Sequence, residues 1–163
     1  MWLAAFVSAV MPVPLSAAEY LSSFGRFGAW TVICAADTAG SPPSCAIEAP
    51  PRDFGDPAAL LEIRSGADGM LEIAVDRFGD VAWTAPVYLR IDADQPFRAQ
   101  ANAAGDVLWQ GSEAEVIIAA LSRGRTLVIR AFTGDGSRPT DAEIPLTGFA
   151  EAYRMFRDGG VER

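Results

Sequence analysis

Two cysteines, Cys34 and Cys45, constrain this chain more than any other feature, and they are its only two. Strand-like WTVIC (Trp30–Cys34) ends on the first, and CAIE (Cys45–Glu48) begins with the second. The segment between them, AADTAGSPPS (Ala35–Ser44), holds Gly40, Pro42 and Pro43, a turn composition. An even cysteine count in an oxidising compartment reads as a disulfide, so a Cys34–Cys45 bridge would tie two neighbouring strands across a hairpin-like loop. Closing such a loop contributes roughly 2–3 kcal/mol, against a total of about 5–15 kcal/mol, so the core is expected to fold without it. A redox-active pair prefers C-x-x-C spacing near a helix N-terminus, which is absent. Structural zinc needs four ligands, and the chain has no histidine and no third cysteine. No metal and no cofactor is expected.

The compartment is read from the first 18 residues. Met1 to Leu15 carry no charged side chain, Met1–Val10 is almost wholly apolar, and Pro12 and Pro14 then interrupt. Ser16-Ala17-Ala18 places small residues where a signal peptidase reads, so residues 1–18 are expected to be a signal peptide cleaved after Ala18. The leader has no Arg or Lys at its start, leaving only the terminal amine as its positive charge. A membrane anchor is the rival reading. Ten residues of helix span about 15 Å, half of a roughly 30 Å hydrocarbon core, and the prolines break the helix where it must continue. Glu19, not a cysteine, stands directly after the cleavage site, so no lipid anchor is expected. The mature chain is expected to be periplasmic or secreted, with no integral membrane span.

Residues 19–163 are the right length for a single domain, and a chain of this size buries roughly 68% of its unfolded surface. The 13 basic residues are all arginines, set against 21 acidic ones, for a net charge of −8. The arginines are scattered singly, whereas phosphate backbones and anionic lipids select clustered cations. Nucleic acid is therefore not an expected partner, and the acidic surface reads as a solvated one.

Short β-like runs alternate with turn signals along the mature chain. Leu60–Arg64 and Met70–Val75 flank SGADG (Ser65–Gly69), which predicts a hairpin. Val81–Thr84 and Val87–Ile91 follow. Phe97–Ala101 and Val107–Trp109 flank NAAGD (Asn102–Asp106), which predicts a second hairpin. TLVIRAF (Thr126–Phe132) is the strongest strand, and Ala142–Leu146 is the last. Ala49–Pro57 is the most linker-like stretch. Two helices are predicted, over about 112–122 and 148–157. In the first, Ser112 and Glu115 read as a capping box, Val116, Ile117, Ala120 and Leu121 form the apolar set, and Gly124 stops the helix. In the second, Phe149, Ala152, Tyr153 and Phe156 share one face, and Arg154 and Arg157 complement the macrodipole near its end. Many short strands without β-α-β alternation predict a mainly β fold, an antiparallel sandwich with two short helices at its edges.

Catalytic chemistry is hard to place on this chain. Nucleophilic triads need a general base, usually histidine, and there is none. Carboxylate pairs remain: Asp76 with Asp80, Asp92 with Asp94, and Glu113 with Glu115. Any of them could in principle serve glycoside hydrolysis or bind calcium. Capping explains the last pair, turn chemistry before Pro96 explains the second, and no calcium-loop pattern is met, so no catalytic residue is assigned. Among the aromatics, Trp30 reads as core. Trp83 and Trp109 alternate with polar neighbours and are the candidate ligand platform.

FGAWTVIC (Phe27–Cys34), Cys45-Ala46-Ile47, the strand after Arg123-Gly124-Arg125-Thr126, and IPLTGFAEAYRMF (Ile144–Phe156) stand in one order over nearly all the mature chain. In that order they resemble the invasion-associated locus B family, small exported proteins of alphaproteobacteria. The resemblance implies a periplasmic or surface-associated β-sandwich. It implies a link to host colonisation in pathogens and an envelope role elsewhere, and it supplies no catalytic residues. Relatives often carry a second cysteine pair near the middle, but PFRAQANAAG (Pro96–Gly105) has none. The leading expectation is a non-catalytic binding or interaction protein whose partner is an unknown envelope or host protein. The alternatives are a carboxylate-dependent glycan-active enzyme and a structural subunit of an envelope complex.

Overall fold

Along Trp30–Ala36 every second side chain is buried and those between are half-buried. A strand with one face against a core has this period of two. The computed structural model describes residues 20–36, 41–49, 59–66, 68–77, 85–100, 107–132 and 134–159. Within them the strands are β1 (Tyr20–Phe27), β2 (Trp30–Ala36), β3 (Ser44–Ala49), β4 (Ala59–Ser65), β5 (Leu71–Arg77), β6 (Val87–Ile91), β7 (Phe97–Ala99), β8 (Val107–Gln110), β9 (Thr126–Phe132) and β10 (Pro139–Pro145). The helices are α1 (Ser112–Leu121) and α2 (Phe149–Arg157). The leader 1–18, the Val81–Thr84 run and all but Ala49 of the linker-like stretch lie outside the described residues.

The strands form two antiparallel sheets, a larger one of order β1-β2-β3-β4-β5-β8 and a smaller one of order β10-β9-β6-β7. One hydrophobic core draws Trp30, Ile47, Ile63 and Ile73 from the first and Leu89, Leu127, Ile129 and Ile144 from the second. The architecture is the expected antiparallel sandwich with two short helices. The helix α2 packs on β1, β2 and β3, and α1 packs on β5 and β8. Among the described residues no helix is long and apolar enough to cross a membrane.

Four local expectations are corrected. The segments either side of NAAGD do not form a hairpin: β7 pairs with β6, and β8 pairs with β5 in the other sheet. Turn chemistry marks where a strand ends, but partner choice follows which face must be buried, and here the chain changes sheets. The Ser112 capping box is not made. Gly111 is the N-cap, at φ 57°, and no side chain caps α1. The buried face of α1 is Ala114, Ile117, Ile118 and Leu121, at i, i+3, i+4 and i+7, while Val116 is 57% exposed. Gly124 is present for space rather than for a left-handed stop, since a Cβ there would press on Ile91 and Leu146.

The strand β1 was not anticipated at all. Its sequence, YLSSFGRF, is poor in β-branched residues. It forms because Phe27 and Trp30 face each other across the Gly28-Ala29 turn, with Gly28 at φ 64°. The β1–β2 turn lies directly against the start of α2. A Cβ on Gly28 would come within 2.7 Å of the Thr147 carbonyl oxygen, and one on Gly148, at φ 91°, would collide with the Phe27 backbone.

Candidate functional site

The smaller sheet presents an outer face built by alternation. In β6, Val87, Leu89 and Ile91 are buried, which turns Tyr88 and Arg90 outward. In β9, Leu127, Ile129 and Ala131 are buried, which turns Val128, Arg130 and Phe132 outward. Register sets Tyr88 opposite Arg130 and Arg90 opposite Val128. With Pro96 these five line a concavity of about 290 Å³. The Tyr88 and Phe132 rings meet edge to face, with centroids 6.4 Å apart, forming one apolar wall.

The two guanidinium groups in this groove differ in their engagements. Arg130 donates twice to Asp141 on β10, Nε to Oδ1 and Nη2 to Oδ2, each at 2.7 Å. That fork holds the Asp141 carboxyl below its ordinary range, against some opposing burial, with the Arg130 and Arg90 charges adding to the effect. Arg90 is exposed and forms no hydrogen bond or ion pair with a described residue. Arg98, opposite Tyr88 on β7, donates to Gln100 at 3.0 Å.

The carboxylates singled out from sequence serve other ends. Asp92, at φ 51°, accepts from the backbone N–H groups of Arg125 and Thr126 at 2.9–3.2 Å, pinning the start of β9. The Asp94 N–H donates to the Ile91 carbonyl in the same turn. Asp76 is half-buried on β5 of the other sheet. Glu113 and Glu115 are exposed in the first turn of α1. Asp80 lies outside the described residues. Among the described residues no cluster of three or more His, Cys, Asp or Glu could hold a metal ion.

The larger sheet carries an acidic outer row that the sequence reading missed. Glu48 and Glu62 are direct cross-strand partners, and Asp76 faces Leu60 one step along. Burial raises the Glu48 carboxyl above its ordinary range, and the charges of Glu62 and Asp76 raise it further. Arg64 bonds Glu62 at 3.1 Å and Glu72 at 3.0 Å, so the Glu62 charge is partly offset, while no arginine pairs with Glu48 among the described residues.

Trp109 is 1% exposed, opposite Ile73 on the inner face of the larger sheet, so it is core and cannot stack a ligand. Strand alternation does not tell the inner face from the outer, and Trp109 fell on the inner one. Its indole Nε1 has no hydrogen-bond acceptor among the described residues. Trp83 lies outside the described residues. The disulfide joins Cys34 to Cys45 as direct cross-strand partners, with Cα atoms 4.0 Å apart. Beside it a second, wider hollow of about 500 Å³ separates Cys45, Ser65 and Gly66 from Tyr153, Phe156 and Arg157.

Across the smaller sheet, the signal for Tyr88, Arg90, Val128, Arg130 and Phe132 was present in VYLRI and TLVIRAF as the outward half of each alternation. What sequence lacked was the pairing of β6 with β9.

Among solved structures, the chain is similar to invasion-associated protein B from Bartonella henselae. The match has a TM-score of 0.65 at 16% identity and covers 84% of this chain and 97% of that one. The two proteins share a fold. No protein-family model matches the chain, and no curated protein sequence matches it either.

Proposed function

We propose that this chain is an exported envelope protein of the invasion-associated locus B type, whose role is to bind a partner or ligand rather than to catalyse. The groove on the smaller sheet carries this reading. It joins an apolar aromatic wall to guanidinium donors, the mixture that binding surfaces use, and no nucleophile–base pair lines it. Support also comes from the leader sequence, from a disulfide of the kind oxidising compartments favour, and from the shared fold. Asp76, on β5 of the larger sheet, and Asp92, in the turn after β6 of the smaller one, would have to share one cleft in a glycan hydrolase, and Asp92 already accepts from the backbone N–H groups of Arg125 and Thr126.

The test is a photo-crosslinking amino acid placed at Val128 in the groove and, as a control, at Val116 on α1, in the full chain expressed with its leader in a Gram-negative host. A discrete adduct from position 128 but not 116, on a chain whose mass shows cleavage after Ala18, is the expected result. A full-length mass confined to the cytosol, or adducts indistinguishable between the two positions, overturns the reading.

A further inference from the structure

We propose that the groove on the smaller sheet takes a singly charged carboxylate carried on an apolar or aromatic body, with the carboxylate held at Arg90. This rests on the reading of that face as the binding surface and adds the chemistry of what is bound.

The assignment begins with how the nearby cations are used. Arg130 has two donors committed to Asp141, and Arg98 donates to Gln100. Arg90 lines the groove, is exposed, and has no such engagement with a described residue. A guanidinium offers a planar fork that matches a carboxylate in two parallel hydrogen bonds. On a chain of net charge −8, a cation held in a concavity marks where an anion is tolerated.

The neighbours limit the charge of that anion. Across this face Arg90, Arg98 and Arg130 stand against Asp141 and Glu143, and the Gln100 partner of Arg98 is neutral, so the face presents roughly the charge of one arginine. Glu143 stands opposite Val128 on β10, two strands from Arg90 in the same cross-sheet row. A second negative charge on the ligand would exceed that single net positive charge and meet Asp141 and Glu143. A phosphate monoester or a polyanion is therefore disfavoured against a monoanion.

The walls define the rest of the ligand. Tyr88, Phe132, Val128 and Pro96 present rings and aliphatic surface. A volume of about 290 Å³ lies at the lower end for ligand pockets, room for one ring on a short tether. Two sources share this chemistry: the free C-terminus of a peptide ending in an apolar residue, and a small aromatic acid.

The experiment is an amide NMR titration of the full mature chain with phenylacetate, phenylacetamide, phenyl phosphate, and the tripeptide Ala-Ala-Phe with a free or an amidated C-terminus. Phenylacetate should shift amides in β6 and β9. Phenylacetamide should bind at least about tenfold more weakly, as loss of a charge-assisted hydrogen-bonded pair implies. Arg90→Gln, a change at an exposed side chain, should bring phenylacetate down to the level of the amide and leave the amide unchanged. If the free tripeptide outbinds phenylacetate, the source is a peptide terminus. The reverse order assigns a small acid, and either order supports the proposal. Equal binding of acid and amide, tighter binding of phenyl phosphate, or indifference to Arg90→Gln overturns the ligand chemistry while a crosslink at Val128 still supports the binding face. No probe shifting β6 or β9 overturns the proposal outright, and an absent crosslink as well removes the reading beneath it.

Discussion

The Trp30 indole donates a hydrogen bond to the Pro145 carbonyl oxygen at 3.0 Å, joining residues 115 positions apart. Trp30 belongs to the larger sheet and Pro145 ends β10 of the smaller one, so this bond fastens the sandwich across its layers. The same ring packs edge-on against Phe149 of α2, with centroids 4.7 Å apart and planes at 68°. Trp30→Phe keeps an aromatic ring but leaves the Pro145 oxygen without its donor and opens a void. It should cost about 2–4 kcal/mol, read as a lower urea midpoint with an unchanged slope. A loss within about 0.5 kcal/mol, the range of an ordinary surface change, would show that the contact does not hold the layers together.

The Cys34–Cys45 bridge closes a loop of sequence separation 11. It joins strands already paired from Thr31↔Glu48 to Ala35↔Ser44. Replacing both cysteines with alanine should lower stability by about 2–3 kcal/mol, chiefly by freeing the unfolded chain, and leave cooperative unfolding intact. Circular dichroism of the double variant at 25 °C decides the point: a spectrum without β-structure would mean that the staple is required for folding.

Glu48 should weaken the fold at neutral pH. Its carboxyl titrates higher folded than unfolded, chiefly from burial and then from Glu62 and Asp76. The folded state therefore holds the Glu48 proton more tightly, and stability is lost as pH rises from the unfolded value through the folded one. Glu48→Gln should stabilise the protein at pH 7 by about 0.5 kcal/mol, the scale of a cross-strand charge contact, and the gain should vanish below the ordinary carboxylate range. Thermal unfolding of both proteins across pH 3–8 checks the sign, and a gain that persists at the acid end would point to packing instead of charge.

Gly148 caps α2 at φ 91°, where a Cβ would run into the Phe27 backbone. Neither the left-handed conformation nor the contact admits a side chain cheaply. Gly148→Ala should destabilise the protein by about 2 kcal/mol or more. Gly136, at φ 71° with open space around it, is the matched control. Its alanine variant should lose only the conformational share, about 1 kcal/mol. Equal losses at the two sites would show that the approach of α2 to the β1–β2 turn is not under steric constraint.

Local chemistry made much of this protein legible in its sequence. Alternation along TLVIRAF identified β9, and β-like runs between turn signals identified β2 and β6. The Ser65–Gly69 turn identified the β4–β5 hairpin, where the Gly66 N–H meets the Met70 carbonyl at 2.8 Å. Two cysteines flanking a turn identified the cross-strand bridge, and apolar residues at helical spacing identified α2. These features depend on neighbours in the chain, which a sequence displays directly.

What depended on distant partners was not legible. The β8 strand joins β5 rather than β7, because burying its inner face opposite Ile73 outweighs the nearness of β7 in sequence. Trp109 is buried for the same reason. β1 exists because β2 offers it an edge, not because YLSSFGRF favours a strand. The groove arises only when Tyr88 and Arg90 come beside Val128, Arg130 and Phe132, some 40 residues on, and that pairing is a free-energy balance over the whole core. Cys34 and Cys45 could be matched on paper because few residues separate them. The residues that would meet a ligand could not, because long-range pairing is settled by which combination of faces buries the most apolar surface at once.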